Sequence, residues 1–427
     1  MKAILSAPGS RGDVNPMISI GCQLKTLGYD VVISVAADYE HVARSAGLNV
    51  EPVISEATFA DAIGNEKVWH PIQGPVQIFR VMMREFLQNH REVIDRHVVP
   101  GETVLVSHPL DLVSRVIRES DDSIPLFSVH LQPVILRTLS DPPRLSPWWF
   151  EPRGPRWLLA ACYAGGDHLL IDPLLRRSIN QLRSEYGLDQ PIRRVMDRWW
   201  LSPDATLALY PELFAPATSG FTKRFVHCGF PLDDVTDNDF SPPNDRPIVF
   251  TLGTANRHCR GFFEIAARTC ETMGRSGILL SSYEDNFPER LPSNVVCHRY
   301  LSLQRLLPHC SAIVHHGGIG TTSQAFAAGV PQLIRPMAFD QFDNAERVEA
   351  LNCGYWLRSD DQLERLLSSL PERSTGSSAS AAYDSGCEMG RSLSKMKGLV
   401  AETRGAERAA EQIHAMNQQR LVGGGLR

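Results

Sequence analysis

The chain has 427 residues, of which 43% are hydrophobic and 21% are charged, and its formal net charge is −5. This length exceeds one ordinary hydrophobic core and predicts two domains of about 200 residues each. The negative net charge provides no positive electrostatic field that would attract nucleic acid. No segment reaches the ~18 apolar residues of a membrane span. The nine cysteines are scattered and include no Cys-x-x-Cys, so we expect no zinc site, no disulfides and a cytoplasmic location.

Short β-rich runs alternate with helical patterns along the chain, which predicts parallel sheets flanked by helices. The predicted strands of the first half are residues 2–7, 30–35, 49–53, 103–107, 125–129 and 206–210. Those of the second half are residues 247–252, 277–282, 295–299, 311–315, 332–335 and 354–357. The predicted fold class is therefore α/β, with two Rossmann-like, doubly wound units that bind ligands beyond the carboxyl ends of their strands.

Residues 231–247 are acidic, contain prolines and lack periodicity, which predicts an interdomain linker. It would separate a first domain, residues 1–230, from a second, residues 248–400. Residues 401–427 are predicted to form a helix returning to the first domain and a tail. The Ser/Ala/Gly-rich stretch 373–386 is predicted to be a loop.

The stretch "SAPGSRGDVNP" near the amino terminus indicates a strand, a glycine loop and the start of a helix. Asp13 lies where the loop enters the helix. From these residues alone, its carboxylate is interpreted as a helix cap.

The stretch "HHGGIGTTSQAFAAGVP", residues 315–331, indicates a strand followed by a glycine loop and a helix. Glycines let the backbone approach a ligand, and the unpaired N–H groups and dipole of a helix start attract an anion, most naturally phosphate. The candidates are Gly317, Gly318 and Gly320, with hydroxyl donors at Thr321 and Thr322. Two alternatives stay open: a plain turn with a buried histidine pair, and a dinucleotide site whose third glycine position holds Ser323.

The stretch "RPMAFDQFDNAER" places Asp340 and Gln341 at the carboxyl end of another predicted strand. A carboxylate beside an amide suits a polyhydroxylated ligand such as a sugar, and helix capping is the alternative. Phosphate and sugar contacts together predict a nucleotide-sugar co-substrate. Because no acidic cluster has metal-ligand spacing, we expect no metal and no cofactor.

These stretches together resemble the donor-binding signature of family 1 glycosyltransferases of the GT-B fold. The resemblance implies two Rossmann-like domains facing across a cleft, and metal-independent hexosyl transfer with inversion at the anomeric carbon. It implies that His315 contacts the diphosphate, that Asp340 and Gln341 contact the sugar, and that Gly253 and Thr254 lie near the diphosphate. Tyr300 is the candidate platform for the nucleobase.

Two positions are compared with plant members of the family. The resemblance implies that Asp13 of "GDVNP" replaces the plant histidine that acts as the catalytic base. Ser323 stands where those members carry a ribose-binding glutamate, which is compatible with a dTDP-sugar and leaves a UDP-sugar open.

Six of the seven tryptophans lie in the first 200 residues. Trp69, Trp148 and Trp149 are predicted to line an apolar acceptor site, and aromatics beside arginines would allow transient contact with a membrane surface, such as the inner face of the cell membrane. Within the family, "VHCGFPLDD" and the donor stretches resemble the bacterial rhamnosyltransferases that build rhamnolipids. That resemblance implies L-rhamnose transfer from dTDP-rhamnose to a lipid hydroxyl. Alternatives are UDP-glucose-dependent glucosyl transfer to a sterol or secondary metabolite, a sugar-nucleotide epimerase, and an inert partner protein.

Overall fold

The computed structural model describes residues 1–70, 73–81, 85–136, 138–144, 155–216, 224–232, 243, 245–254, 256–372, 383 and 387–424. Trp148, Trp149, and most of the predicted linker and of the 373–386 loop lie outside the described residues. The chain forms two units. Unit 1 comprises Met1–Pro143, Trp148–Asp233 and Arg404–Arg427, and unit 2 comprises Arg144–Pro147 and Asp234–Thr403.

Unit 1 is built on a parallel sheet of seven strands. They are β1 (Lys2–Ala7), β2 (Asp30–Ala36), β3 (Asn49–Ile54), β4 (Thr103–Ser107), β5 (Leu126–His130), β6 (Ala205–Ala208) and β7 (Phe225–His227). Their order across the sheet is β3-β2-β1-β4-β5-β6-β7. The central strands are mostly apolar and buried on both faces, as expected for a parallel sheet covered by helices.

Helices cover both faces of this sheet. They are α1 (Arg11–Thr26), α2 (Glu40–Ser45), α3 (Glu56–Gly64), α4 (Gln73–Val81), α5 (Leu87–His97), α6 (Val113–Ser120), α7 (Arg156–Gly166) and α8 (Asp172–Glu185). A π-helical turn, Asp167–Ile171, joins α7 to α8.

Unit 2 is built on a second parallel sheet, of six strands. They are β8 (Ile248–Thr251), β9 (Gly277–Leu280), β10 (Val295–His298), β11 (Ala312–His315), β12 (Gln332–Ile334) and β13 (Gly354–Trp356), in the order β10-β9-β8-β11-β12-β13. Its helices are α9 (Arg260–Met273), α10 (Leu303–Leu306), α11 (Ile319–Ala328), α12 (Gln341–Ala350), α13 (Leu363–Ser368) and α14 (Glu388–Glu402). The predicted α/β class with two doubly wound sheets is confirmed.

The last helix, α15 (Gly405–Gly424), packs in unit 1 against α1. The Asn417 side-chain amide donates to the hydroxyl of Tyr29 over 3.3 Å, and the ring of His414 meets the Tyr29 ring edge-on. At its start, a Cβ on Gly405 would lie 2.2 Å from the carbonyl oxygen of Gly229. The chain therefore crosses itself here with no room for a side chain.

Two general features complete the fold. Within the described residues, no helix is both long and apolar enough to cross a membrane. All nine cysteines are free thiols.

Gly405→Ala should destabilise unit 1, because the added methyl must displace backbone rather than a flexible side chain. We expect the free energy of unfolding to fall by about 1–3 kcal/mol, as for other overpacked sites. Gly398→Ala is the matched control, since that helical glycine faces open space and alanine favours a helix by ~1 kcal/mol. Urea titration would contradict the account if both variants unfolded at the wild-type midpoint.

Candidate active site

Three loops of unit 2 lie side by side at one edge of its sheet. The strands β8, β11 and β12 are consecutive neighbours and parallel, so their carboxyl ends meet at that edge. The loop after β8 contains Gly253 and Thr254, the loop after β11 contains the histidine–glycine motif, and the loop after β12 leads to Asp340. Residues far apart in the sequence therefore converge where open α/β sheets bind ligands.

The imidazole of His316 packs between two glycines. A Cβ on Gly253 would lie 3.0 Å from its Nε2, and a Cβ on Gly318 would lie 2.5 Å from the same atom. The Nδ1 of His316 is buried and has no hydrogen-bond partner among the described residues. Burial lowers the pKa of His316 to about 4, so the ring is neutral at pH 7. Buried polar atoms are usually hydrogen-bonded, so this unpaired ring nitrogen is a candidate for hydrogen bonding to a ligand.

His315, which the sequence analysis assigned to the diphosphate, is placed elsewhere. Its side chain is fully buried at the end of β11. Its Nδ1 accepts the Gly317 N–H over 3.1 Å, and its Nε2 donates to Oε1 of Gln332 over 2.9 Å. Burial, with His316 nearby, lowers its pKa to about 3. Both ring nitrogens of His315 are therefore hydrogen-bonded within the protein, whereas the adjacent His316 keeps its Nδ1 unpaired among the described residues.

The glycines of the motif serve different purposes. Gly317 has a φ of +92°, and a Cβ there would lie 2.6 Å from Cγ2 of Ile334, so only glycine fits. Gly318 is the N-cap of α11, whose first N–H groups have no partner within the helix. Gly320 faces open space. The amino terminus of α11 and the ring of His316 thus border one edge, as an anion site requires.

The hydroxyls after the glycines are not equivalent. Thr322 is fully buried and its hydroxyl donates to the Gly318 carbonyl over 3.1 Å, whereas Thr321 is half-buried. Ser323 is also buried, and its hydroxyl donates to the Gly320 carbonyl over 2.8 Å. Gln324 is half-buried and its Oε1 has no partner among the described residues.

Ser323, which stands at the expected position of the ribose-binding glutamate, does not offer its hydroxyl to a ligand in this structure. Its hydroxyl points back into its own helix. Counting eight residues from His316 instead of His315 reaches Gln324, whose oxygen is unpaired. The position thus holds a side chain able to accept a hydrogen bond, and it no longer favours one nucleotide over another.

The loop after β12 is held to the glycine loop by Asn344. Its side-chain amide donates to the Gly317 carbonyl over 2.8 Å and to Oδ2 of Asp340 over 2.7 Å. Gln341 is buried, and its Oε1 accepts the N–H groups of Met337 and Ala338 over 2.8 and 3.1 Å. Asp340 therefore stays half-buried at the loop surface, while the oxygen of Gln341 is already engaged.

The remaining donor-side predictions are more loosely placed. Gly253 has a φ of +89° and Thr254 is exposed in the turn that follows it. Tyr300 is half-buried just after β10, two strands from β8. Sequence reasoning missed Asn344 and His316, although an asparagine four residues after Asp340 is a common signal of a helix-start contact.

In unit 1, Asp13 uses its two carboxylate oxygens differently. Oδ2 accepts the Ser10 N–H over 2.8 Å and the Ser10 hydroxyl over 3.2 Å, which caps the start of α1. Oδ1 lies 3.4 Å from Nε2 of His108, the residue that follows β4. A Cβ on Gly9 would lie 2.1 Å from Oδ2, so the loop needs glycine to fold over the carboxylate.

The imidazole of His108 lies beside Asp13. Its Nδ1 accepts the Leu110 N–H over 3.2 Å, which leaves Nε2, 3.4 Å from Oδ1 of Asp13, as the N–H donor of the ring, although this nitrogen makes no hydrogen bond within the described residues. The backbone N–H of His108 donates to the Ser6 hydroxyl, and that hydroxyl donates to the buried carboxylate of Asp111 over 2.7 Å. Burial raises the pKa of Asp13, but His108 and Ser10 outweigh it and hold that pKa below its ordinary value. Asp13 is therefore ionised at pH 7.

The tryptophans divide into core and surface. Trp199 and Trp200 are buried, with their indole N–H groups donating to Glu119 over 2.5 Å and to the Pro109 carbonyl over 2.8 Å. Both tryptophans therefore belong to the hydrophobic core of unit 1. Trp69 ends a 3-10 helix, Glu66–Trp69, and Trp157 is exposed. Within the described residues, no group of three or more His, Cys, Asp or Glu side chains could hold a metal ion.

Comparison with known proteins agrees with this geometry. Residues 278–384 match the family described as Erythromycin biosynthesis protein CIII-like, C-terminal domain. An uncharacterized glycosyltransferase of Mycobacterium tuberculosis is 24% identical over 376 residues, 83% of this chain and 86% of that protein. The O-mycaminosyltylonolide 6-deoxyallosyltransferase of Streptomyces fradiae is 25% identical over 382 residues, 80% of this chain and 81% of that protein. This chain is a glycosyltransferase similar to these proteins.

Solved structures show that this glycosyltransferase has the GT-B fold. The calicheamicin glycosyltransferase CalG4 has a TM-score of 0.70 at 21% identity. The match covers 97% of this chain and 98% of CalG4. The spinosyn rhamnosyltransferase SpnG complexed with thymidine diphosphate has a TM-score of 0.63 at 16% identity. The match covers 97% of this chain and 99% of SpnG.

His316→Ala should weaken the binding of thymidine diphosphate about tenfold, the effect of losing one hydrogen bond to a charged group, with the melting temperature nearly unchanged. His315→Ala should show the reverse pattern, because it leaves Gln332 and the Gly317 N–H unpaired and opens a cavity. We expect it to cost about 2–4 kcal/mol of unfolding free energy. Isothermal titration calorimetry and thermal unfolding separate the two. A tenfold affinity loss in stable His315→Ala, with His316→Ala binding normally, would contradict this expectation.

Proposed function

We propose that this glycosyltransferase moves a hexose from a nucleotide sugar to a hydroxyl of an apolar acceptor, without a metal and with inversion at the anomeric carbon. The observation that carries the proposal is the edge of unit 2 where the N-cap of α11 lies beside the imidazole of His316, whose Nδ1 is unpaired among the described residues. An anion there needs no metal, since helix N–H groups and a ring N–H can stabilise the departing diphosphate.

On the donor side, the groups that bind the nucleotide sugar would also stabilise the departing diphosphate. The backbone N–H groups of Ile319, Gly320 and Thr321 and the Thr321 hydroxyl would donate to phosphate oxygens. The carboxylate of Asp340 would accept from sugar hydroxyls, and the amide group of Gln341 remains as a donor. As the bond between the anomeric carbon and the phosphate oxygen breaks, the negative charge grows on the diphosphate, where these donors already point.

On the acceptor side, Asp13 would take the proton of the attacking hydroxyl. A carboxylate with a lowered pKa is a weak base, so proton transfer must accompany formation of the bond between acceptor oxygen and anomeric carbon. His108, whose Nε2 lies 3.4 Å from Oδ1, would orient the carboxylate and share its charge. The proposed base lies in unit 1, and the proposed donor site lies in unit 2.

For the donor we propose a dTDP-sugar, with dTDP-L-rhamnose as the specific candidate. Support comes from SpnG, a rhamnosyltransferase that binds thymidine diphosphate, and from the 6-deoxyallosyltransferase of Streptomyces fradiae, which is named for a deoxysugar. Rhamnose is also a deoxysugar. The acceptor is proposed to be an apolar hydroxylated natural product, of which a hydroxylated lipid is the narrower candidate.

Asp13→Asn should reduce kcat for transfer by about 10²–10⁴-fold, the usual contribution of a general base, because the amide keeps the shape of the carboxylate but accepts no proton. Thymidine diphosphate affinity, a property of unit 2, should stay within twofold of wild type. Steady-state kinetics with dTDP-rhamnose and calorimetry measure the two quantities. Near-normal turnover would remove Asp13 from the role of base.

His108→Ala should lower kcat about tenfold and also change its pH dependence. Because His108 helps to keep the pKa of Asp13 low, its removal raises that pKa, and the acid limb of kcat/KM moves to higher pH. His108→Gln, which can place an N–H near the position of Nε2, should recover part of the loss. A purely structural role would lower the melting temperature without moving the pH profile, and that outcome would contradict the proposal.

A further inference from the structure

One long helical stretch of unit 1 exposes large apolar side chains. It runs through α7, the π-helical turn and α8, from Arg156 to Glu185. Four of its side chains are unusually open to solvent, with exposed fractions of 69% for Trp157, 38% for Leu158, 72% for Leu169 and 57% for Leu170. We call these four residues the apolar helix face. A cluster of this kind on one element is uncommon in a soluble protein and usually marks an interaction surface.

The opposite side of the same stretch anchors it to the core. Leu159, Leu175, Ile179 and Leu182 are buried, the last three packing against α6 and the sheet in one hydrophobic cluster. The helix therefore cannot rotate to hide its exposed residues without exposing a comparable apolar area. The apolar helix face is a fixed feature of the fold.

Along most of this stretch the basic residues are exposed and the acidic residues are buried. Its only acidic residues between 156 and 177, Asp167 and Asp172, are buried, and Oδ1 of Asp172 accepts the Val195 N–H over 2.9 Å. Arg156 at one end and Arg176 and Arg177 at the other are exposed. In a chain whose net charge is −5, the described residues from Arg156 to Arg177 carry exposed cations and apolar groups but no exposed carboxylate, and the stretch reaches an exposed acid only at its end, Glu185.

We propose that the apolar helix face docks on an anionic lipid bilayer surface. Leucines and a tryptophan bordered by arginines are the composition of helices that lie in the membrane interface, with apolar side chains among the acyl chains and guanidinium groups at the phosphates. An anionic lipid surface complements this patch, because the exposed charges from Arg156 to Arg177 are all positive. The proposal concerns unit 1 alone and holds whichever donor sugar the enzyme uses.

The test is vesicle flotation of the full-length protein at low and physiological salt. We expect binding to vesicles of phosphatidylcholine with phosphatidylglycerol, weaker binding at higher salt because exposed charges are screened, and little binding to phosphatidylcholine alone. Leu169→Ser with Leu170→Ser should reduce the partition coefficient by about tenfold or more per leucine. Arg176→Gln with Arg177→Gln should reduce it by about fivefold per arginine, on anionic vesicles only.

The matched control is Leu421→Ser with Val422→Ser, an exposed apolar pair at the end of α15 in the same unit. This control should bind vesicles as the wild type does. Wild-type protein that fails to float with anionic vesicles would overturn the proposal, as would variants of the apolar helix face that float normally. A wild-type dimer that these variants convert to monomer would also overturn it, because a second copy would then cover the face.

Discussion

The donor side of this enzyme depends on how closely the ring of His316 approaches two backbones. The imidazole fills the space beside Gly253 and Gly318 that any Cβ would need, which ties the loop after β8 to the loop after β11. That approach is possible because β8 and β11 are parallel neighbours whose ends lie at one edge. The glycines are thus required by a side chain of the protein itself as well as by the backbone geometry of an anion site.

A second layer of contacts keeps this edge rigid. His315 bridges the Gly317 N–H and Gln332, and Asn344 joins the Gly317 carbonyl to Asp340. His315 and Asn344 are fully buried; both ring nitrogens of His315 are hydrogen-bonded, and the Asn344 side-chain N–H groups donate to two acceptors. On the acceptor side the same logic recurs, because Ser6, His108 and Ser10 leave one oxygen of Asp13 capping a helix and the other facing an N–H donor. A site positioned by buried hydrogen bonds is preorganised for the charges of transfer.

Most of the sheet architecture could be predicted from the sequence, and the reason is physical. Buried parallel strands are continuous apolar runs, so twelve of the thirteen strands were placed within about two residues at each end. The three-residue strand β7 was missed because so short an edge strand leaves no periodicity. The histidine–glycine motif was expected to follow a strand, as it does, but the sequence could not show which of His315 and His316 has paired ring nitrogens. Which of two adjacent side chains enters the core depends on where the strand ends. Apolarity likewise could not separate the core Trp199 and Trp200 from the exposed Trp157.

The central claim is that His316 and not His315 meets the diphosphate. It is tested most directly by the ring-nitrogen resonances of histidine-labelled protein during titration with thymidine diphosphate, with His316→Ala used for assignment. The account predicts that the Nδ1 resonance of His316 shifts as the nucleotide binds, since this atom gains a hydrogen bond. The His315 resonances should stay in place, because both of its nitrogens are already paired. A shift at His315 with none at His316 would contradict the account.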